Sequence, residues 1–217
     1  MTDPAVFSAV VRDRSHAAHS GSEGAGFMTD LMAGRGSLDD YAALVVQHWF
    51  IYDALEDAAG RLRANAAVAP FLSAALDRVP SIEADLDHLL GPAWRGSVVP
   101  LPTTVRYVER IREVAATWPG GLVAHHYTRY LGDLSGGQFI RRILARQFGF
   151  AEDGMRFYRF EEIADTRAFK EGYRELLDRA PWDPEEQERI VEEVLRAYRF
   201  NTELFDDLLA DRAARVT

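Results

Sequence analysis

Apolar residues recur at helical spacing in nearly every segment between the glycine and proline clusters of the chain. This spacing predicts helices over residues 4–20, 27–34, 38–64, 69–78, 81–90, 102–117, 121–148, 166–179 and 184–213. No window of five or more residues alternates apolar and polar side chains convincingly, so we expect no sheet. The pattern therefore predicts an all-α fold in a single domain over residues 1–217.

Two of these helices begin with capping signals. Asp3 and Pro4 are an N-cap residue followed by proline at the first helical position. Ser37 and Asp40 have the spacing of a capping box, in which each side chain accepts a hydrogen bond from the backbone of the other residue. Near the end of the first predicted helix, the glycine-rich stretch 21–26 is expected to interrupt the chain before the second helix.

Three glycines and one aspartate lie inside the predicted helix 121–148. Each glycine in a helix interior costs roughly 1 kcal/mol relative to alanine, so the sequence gives up stability there. Gly132 and Gly136 are four residues apart and share one face, with Asp133 and Gly137 on the adjacent stripe. This arrangement predicts a bare strip of backbone beside a carboxylate, which suits a flat, bulky ligand.

The same segment contains the string Leu134-Ser135-Gly136-Gly137-Gln138, which matches the signature loop of ABC-type ATPases. Such an ATPase also needs a glycine-rich loop that ends in Gly-Lys-Ser/Thr, because backbone N–H groups and the lysine must hold the nucleotide phosphates. The only lysine of the chain is Lys170, and no such loop leads into it. The ATPase interpretation is therefore excluded.

Composition narrows the remaining classes of function. The net charge of −9 argues against general nucleic-acid binding, which needs a basic surface. No apolar run approaches the ~20 residues that span a bilayer, and the N-terminus has no secretory signal, so we expect no membrane anchor. The lack of cysteine excludes disulfides, thiolate metal sites and thiolate-ligated haem. The cytoplasm is the expected compartment.

The six histidines do not match the common multi-ligand metal sites. His16 and His19 are three residues apart but lack the intervening glutamate of a metalloprotease motif. No Glu-x-x-His motif occurs, as a carboxylate-bridged di-iron site would require, and the nearest approach is Asp85-x-x-His88. A single imidazole that binds haem iron remains open, because haem needs only one proximal ligand.

Several polar residues could support such an imidazole. Arg12 precedes His19 by two helical turns, about 10 Å, which is roughly the distance from haem iron to the carboxylate edge. Glu23 follows His19 by one turn and could accept a hydrogen bond from its non-ligating nitrogen. Lys170 and Arg174 form a basic pair that could meet two propionates. Each residue taken singly is better explained as part of a solvated helix face, and only their occurrence together with the glycine strip favours a haem site.

Residues 127–138 resemble the haem-binding distal helix of the haem oxygenases, with the sequence Tyr-Thr-Arg-Tyr-Leu-Gly-Asp-Leu-Ser-Gly-Gly-Gln. Three further motifs resemble those of the same family, so that the resemblance covers nearly the whole chain: Tyr52-x-Ala54-Leu55-Glu56, Phe169-Lys170-x-x-Tyr173-Arg174 and Tyr198-x-x-Asn201-x-x-Leu204-Phe205. His19 stands where the family has its proximal iron ligand. Arg12 replaces the lysine usual at the first propionate contact, which keeps the charge but changes its geometry.

The resemblance implies that haem lies between the first helix and a kinked distal helix. It also implies cleavage of haem at a meso carbon to biliverdin, carbon monoxide and ferrous iron, with O₂ and external electrons. The basic residues Arg12, Lys170 and Arg174, expected at the exposed haem edge, lead us to expect an acidic ferredoxin or flavoprotein as the electron donor. His19 is then the iron ligand, and Asp133 acts through ordered water beside Gly132 and Gly136. The further residues implied at the site are Tyr52, Arg129 and Asn201 in the water network, and Arg12, Glu23, Tyr127, Gly137, Lys170, Arg174 and Tyr198 around the haem. A monomer is expected.

Two alternatives stay open at this point. A non-catalytic haem carrier or sensor on the same scaffold has no use for a carboxylate beside the glycine strip, so Asp133 argues against it. The thiaminase-like relatives of the same architecture bind a pyrimidine and need a cysteine nucleophile, which this chain lacks.

Overall fold

The computed structural model describes residues 6–23 and 26–216, without the side chains of residues 22, 23 and 216. Within these ranges the chain forms α-helices and no β-strand, which confirms the predicted all-α class. The helices are α1 (Phe7–Glu23), α2 (Gly26–Met32), α3 (Leu38–Leu62), α4 (Val79–Leu90), α5 (Pro102–Thr117), α6 (Pro119–His126), α7 (Gly132–Phe148), α8 (Thr166–Arg179) and α9 (Pro184–Val216). None of the described helices is long and apolar enough to span a bilayer.

Most predicted helices are confirmed, but the helix predicted over 69–78 is wrong. Two short 3₁₀ turns, Ala69–Phe71 and Ala74–Leu76, take its place. Leu72 and Ser73 between them have ψ angles of 59° and 128°, outside the helical region, so the hydrogen-bond ladder is broken there. At the first helix, α1 continues through Gly21 to Glu23, whereas the predicted cap at Asp3 and Pro4 lies outside the described residues.

Helix α3 is a buried element that begins at the predicted capping box. The Ser37 hydroxyl accepts the Asp40 N–H at 3.1 Å, and the Asp40 carboxylate accepts the Ser37 N–H at 2.9 Å. Farther along the helix, Tyr52 and Leu55 have no solvent exposure, and α3 packs against α4, α5 and α6. The position of Tyr52 is therefore fixed by a helix that is capped at its start and enclosed along its length.

A π-helical turn at Tyr127–Leu131 joins α6 to α7 within one continuous helix. A π-helical turn accommodates an extra residue in the hydrogen-bonded ring, and such turns occur often at functional sites. All five of its residues are buried, and it ends directly before Gly132. The predicted glycine strip thus begins where the helical geometry changes. The long helix α9 packs on α1, on α6 and on this turn.

A buried carboxylate on α4 fixes the turn that supports α7. Asp85 has no solvent exposure, and its two oxygens accept the N–H groups of Arg156 and Phe157, each at 2.8 Å. Burial raises the pKa of Asp85 to about 6, against the opposing effect of these hydrogen bonds. The 3₁₀ turn Arg156–Tyr158 is held in this way, and its Tyr158 side chain packs on Gly137 of α7.

Replacing Asp85 by alanine should lower the free energy of unfolding by about 2–4 kcal/mol, because two buried N–H groups would lose their acceptor. Urea unfolding of the apoprotein measures this change. Asp57→Ala is the matched control, since the ion pair of Asp57 with Arg61 is exposed, and it should change stability by less than about 1 kcal/mol. Equal effects of the two substitutions would contradict the anchoring role of Asp85.

Candidate active site

The glycine strip faces a cleft whose walls come from α1, α7 and α9. The cleft consists of two adjoining cavities of about 140 and 200 Å³, which share His19, Gly132 and Tyr198. We call the cavity lined by Asp133 and Asn201 the inner cavity, and the cavity lined by Arg12 and Arg174 the outer cavity. Residues from the first, distal and last helices, which lie far apart in the sequence, are thereby brought to one place.

Two of the three glycines leave backbone bare toward the cleft. A Cβ atom placed on Gly132 or Gly136 would meet no atom within 4 Å other than the neighbouring residues and backbone of its own helix, so both positions open into space. The structure differs from the prediction for Gly137, where a Cβ atom would lie 3.2 Å from Cδ1 of Tyr158. Gly137 therefore allows α7 to pack closely on Tyr158, and the bare strip is formed by the other two glycines.

Asp133 lies beside these glycines and accepts a hydrogen bond from the Tyr52 hydroxyl. The loss of surrounding solvent raises the pKa of Asp133 to about 6, although the Arg129 charge, the Tyr52 hydrogen bond and the Arg78 charge all oppose this rise. Burial also raises the pKa of Tyr52 far above its ordinary value, so its hydroxyl keeps the proton that it donates. At neutral pH, Asp133 is therefore mainly ionised, but its pKa is close enough to neutral for a fraction to stay protonated.

Arg129 connects this carboxylate to the last helix. Its Nη1 donates a hydrogen bond of 3.0 Å to Oδ1 of Asn201, and its guanidinium lies over the Tyr52 ring with Cζ 5.0 Å from the ring centroid. The guanidinium is almost fully buried. Tyr52, Arg129, Asp133 and Asn201 were predicted to act together, and the structure brings them together from three different segments of the fold.

The positions of the two neighbouring histidines differ in a way that favours His19. His19 is half-buried, lines both cavities, and packs edge-on against Tyr198 with ring centroids 5.6 Å apart. His16 is exposed and lines only the outer cavity. The imidazole that faces the glycine strip is therefore that of His19. The side chain of Glu23, predicted to hydrogen-bond His19, lies outside the described residues, and its role stays a prediction.

Basic residues gather at the open end of the cleft. Arg12 and Arg174 line the outer cavity together with Tyr127, and Lys170 donates a hydrogen bond of 3.1 Å to the hydroxyl of Ser135, which lines the same cavity. Burial raises the pKa of Tyr127, and the charges of Arg174 and Arg12 oppose this rise. Nε of Arg174 is buried and has no hydrogen-bond partner among the described residues. An anionic group at this end would find several donors.

The inner cavity also contains apolar side chains that were not predicted as site residues. Ile140 follows Gly136 by one helical turn on the same face, so helical spacing could have identified it. Met28 and Phe205 reach the cavity from α2 and α9. Phe205 belongs to the motif of residues 198–205 noted in the sequence, whereas local sequence gives no signal that Met28 lies there. Their apolar surfaces suit a large aromatic ligand.

Comparison with known proteins assigns the chain to a family. The family model described as "Heme oxygenase" matches residues 5–207. Heme oxygenase 1 of Synechocystis is 36% identical over 198 residues, which cover 91% of this chain and 82% of that protein. The chain belongs to the haem oxygenase family. The family predicted from the sequence motifs is thus confirmed. The activity of this chain is haem degradation.

Other relatives agree with this assignment. Human heme oxygenase 1 is 33% identical over 208 residues, which cover 94% of this chain and 72% of the human protein. The crystal structure of heme oxygenase-1 from Synechocystis in complex with heme superposes with a TM-score of 0.90, at 34% identity and 97% coverage of both chains. These relatives are haem oxygenases, not haem carriers or thiaminase-like proteins.

Gly136→Ala should stabilise the haem-free protein by roughly 1 kcal/mol, because alanine is the better helix former. The same methyl group would enter the cleft and weaken hemin binding by about tenfold or more. Gly172→Ala is the control, since Gly172 is exposed on α8 and its Cβ position is also open. This control should gain similar stability without a change in hemin affinity. Urea unfolding and hemin titration measure both effects, and unchanged hemin affinity in Gly136→Ala would contradict the assignment of the haem-facing wall.

Proposed function

We propose that the cleft binds haem between α1 and α7, and that its residues direct opening of the macrocycle at a meso carbon. The products are biliverdin, carbon monoxide and ferrous iron, with O₂ and external electrons consumed. One observation carries the proposal: the His19 imidazole and the Asp133 carboxylate line the same cavity as the bare backbone of Gly132 and Gly136. A wall without side chains suits a flat macrocycle, and the two polar groups provide a metal ligand and a proton-exchanging group.

The residues present fit a haem. His19 would hold the iron as a neutral imidazole, and Arg12, Lys170 and Arg174 would hold the propionates with Tyr127 beside them. The buried Nε of Arg174, which has no partner among the described residues, supports this arrangement because a propionate oxygen could accept its hydrogen. Haem is both the substrate and the source of the iron at which O₂ is activated.

Asp133 is proposed to hold water and to exchange protons with it. Tyr52 donates to Oδ2 of Asp133, so Oδ1 is the oxygen that water in the cleft can use. A group whose pKa is about 6 can both accept and release a proton near neutral pH. Arg129 and Asn201, joined by their hydrogen bond, extend the polar surface that orients this water.

The electron donor is proposed to be an acidic ferredoxin or flavoprotein that docks at the basic open end of the cleft. The chain carries a net charge of −9, but Arg12, Lys170 and Arg174 create a positive local field there. Local fields of this kind steer the encounter of proteins irrespective of net charge. The monomeric state and the cytoplasmic location stay predictions from the sequence.

His19→Ala should remove the imidazole-ligated ferrous carbon monoxide spectrum, and free imidazole should restore it in part because it can enter as a replacement ligand. Visible spectroscopy of the hemin complex after reduction under carbon monoxide gives the measurement. His16→Ala should keep the wild-type spectrum, since His16 is exposed on α1. Loss of the spectrum in the His16 variant alone would refute the ligand assignment.

Asp133→Ala should bind hemin through His19 but form biliverdin at most at about a hundredth of the wild-type rate, the scale expected when a positioned proton-transfer group is lost. Asp133→Asn can still hold water but cannot take up a proton, so an intermediate rate is expected. The measurement is biliverdin absorbance after addition of hemin, O₂ and a reductant. Wild-type rates in the alanine variant would refute the role of Asp133. Wild-type protein that binds hemin without opening the macrocycle would refute the proposed enzymatic function.

The rate of haem reduction by an acidic ferredoxin should fall as salt concentration rises, because charges are screened over about 8 Å at physiological ionic strength. Stopped-flow reduction of the hemin complex at increasing sodium chloride concentrations measures this dependence. Reduction by an uncharged small-molecule reductant is the control, and its rate should change little with salt. A protein donor whose rate does not depend on salt would contradict electrostatic docking.

A further inference from the structure

Helix α2 forms part of the cleft wall but is too short to hold its own position. It has seven residues, and isolated helices shorter than roughly 12–15 residues are marginal in water. Its Met28 side chain lines the inner cavity. Its Phe27 ring stacks on the ring of Phe205, which lines the same cavity, with centroids 6.3 Å apart and planes at 7°. Among the described helices, α2 packs chiefly against α9. The placement of this part of the wall therefore depends on how α2 is attached to α9.

An ion pair joins α2 to α9 beyond this aromatic contact. Nη2 of Arg212 donates a hydrogen bond of 2.8 Å to Oδ2 of Asp30, and each of the two side chains is 28% exposed. Asp30 follows Phe27 by about one helical turn, and Arg212 follows Phe205 by about two turns. The ring stack and the ion pair therefore use the same face of each helix. Helix α2 is thus fixed to α9 by one apolar and one ionic contact.

Arg212 is also attached to the start of α3. Its Nη1 lies 3.8 Å from Oδ2 of Asp40, and Arg215 donates a hydrogen bond of 3.1 Å to Oδ1 of the same carboxylate. Asp40 is buried and belongs to the capping box of α3, so its position is fixed. The hydrogen bond from Arg212 is the largest influence that lowers the pKa of Asp30, so Asp30 is ionised at neutral pH. Arg212 therefore lies between a carboxylate of the short helix α2 and a carboxylate of the buried helix α3.

The second oxygen of Asp30 has a partner within its own segment. Nε and Nη2 of Arg35 donate hydrogen bonds of 3.1 and 2.9 Å to Oδ1 of Asp30, and the Arg35 N–H donates to the Asp30 carbonyl at 2.9 Å. Both residues belong to the turn that follows α2, so this pair stabilises the end of α2 but does not attach it to α9. One carboxylate thus has a local partner and a distant partner, and the two can be removed separately.

We propose that Asp30 and Arg212 are positioning residues that keep α2 closed on α9, and that this ion pair limits the rate at which haem leaves the cleft. The inference rests on the proposed binding of haem between α1 and α7. If the ion pair opens, Met28 can move away from the cavity together with α2. His19 and Asp133 belong to other helices and stay in place. Loss of the pair should therefore open one side of the cleft and speed the release of haem.

The first test measures the transfer of hemin from the protein to an excess of haem-free myoglobin. Asp30→Asn and Arg212→Gln should each raise the hemin dissociation rate by about fivefold, the scale of one well-placed ion pair. The double variant should release hemin no faster than either single variant, because the same interaction is lost in each case. Arg35→Gln is the matched control and should keep the wild-type rate, since it removes only the local partner of Asp30.

The salt dependence of hemin release separates the ion pair from a loss of packing. Arg35, Asp40, Arg212 and Arg215 line a surface cavity of about 440 Å³, so dissolved ions reach the charged groups. Salt should therefore speed hemin release more in the wild type than in Asp30→Asn, because the variant has no α2–α9 ion pair left to screen. The effect of salt on the propionate contacts is common to both proteins and cancels in the comparison. A variant that only disturbs packing would keep the wild-type salt dependence.

A second measurement needs neither haem nor catalysis. Amide hydrogen exchange of the haem-free protein should be faster in α2 of Asp30→Asn and Arg212→Gln than in α2 of the wild type, whereas exchange in α4 should not change.

Wild-type hemin release in both single variants, effects that add in the double variant, or an equal effect of Arg35→Gln would overturn the proposal. Unchanged exchange of α2 in the two variants would overturn it as well. By contrast, wild-type protein that binds hemin without opening the macrocycle would refute the proposed function alone, because release and exchange are measured without ring opening.

Discussion

The hydrogen bond from Tyr52 to Asp133 is the contact on which the organisation of the cleft depends. It joins α3, a buried helix fixed by its capping box, to the start of α7, where the backbone of Gly132 and Gly136 is bare. This contact and the charge of Arg129 both favour the ionised form of Asp133, which would otherwise be costly in such surroundings. The fold thus keeps a polar group at the one place where a flat ligand can approach the helix backbone.

The same contact explains why Asp133 can act near neutral pH. Reduced solvation raises its pKa, and Arg129 and Tyr52 limit that rise, so that the value of about 6 results from opposing influences. Because these influences are strong in a low-dielectric site, small movements of Arg129 change the ionisation of Asp133 appreciably. The hydrogen bond between Arg129 and Asn201 therefore matters for chemistry and not only for packing.

Much of this arrangement could be predicted from the sequence, for identifiable reasons. Helical spacing located nearly all helices, and the spacing of Gly132 and Gly136 located the bare wall, since both are periodic properties of a single segment. The motif resemblance brought Tyr52, Arg129 and Asn201 to the same site. The failures depend on features that local sequence does not carry. The break at Leu72 and the π-helical turn before Gly132 are backbone geometries, and the contacts of Gly137, Met28 and Phe205 are set by the packing of distant helices.

The central claim is that Asp133 is a cleft-facing carboxylate whose titration is displaced to near neutral pH. Infrared difference spectroscopy of the haem-free protein, titrated from acid to neutral pH, observes carboxyl protonation directly. Subtraction of the spectra of Asp133→Asn isolates this residue from Asp85 and Glu56, whose pKa values are also raised. The account predicts a band that titrates with a midpoint at about pH 6. A midpoint near the ordinary aspartate value of about 4, or a group still protonated above about pH 8, would contradict it.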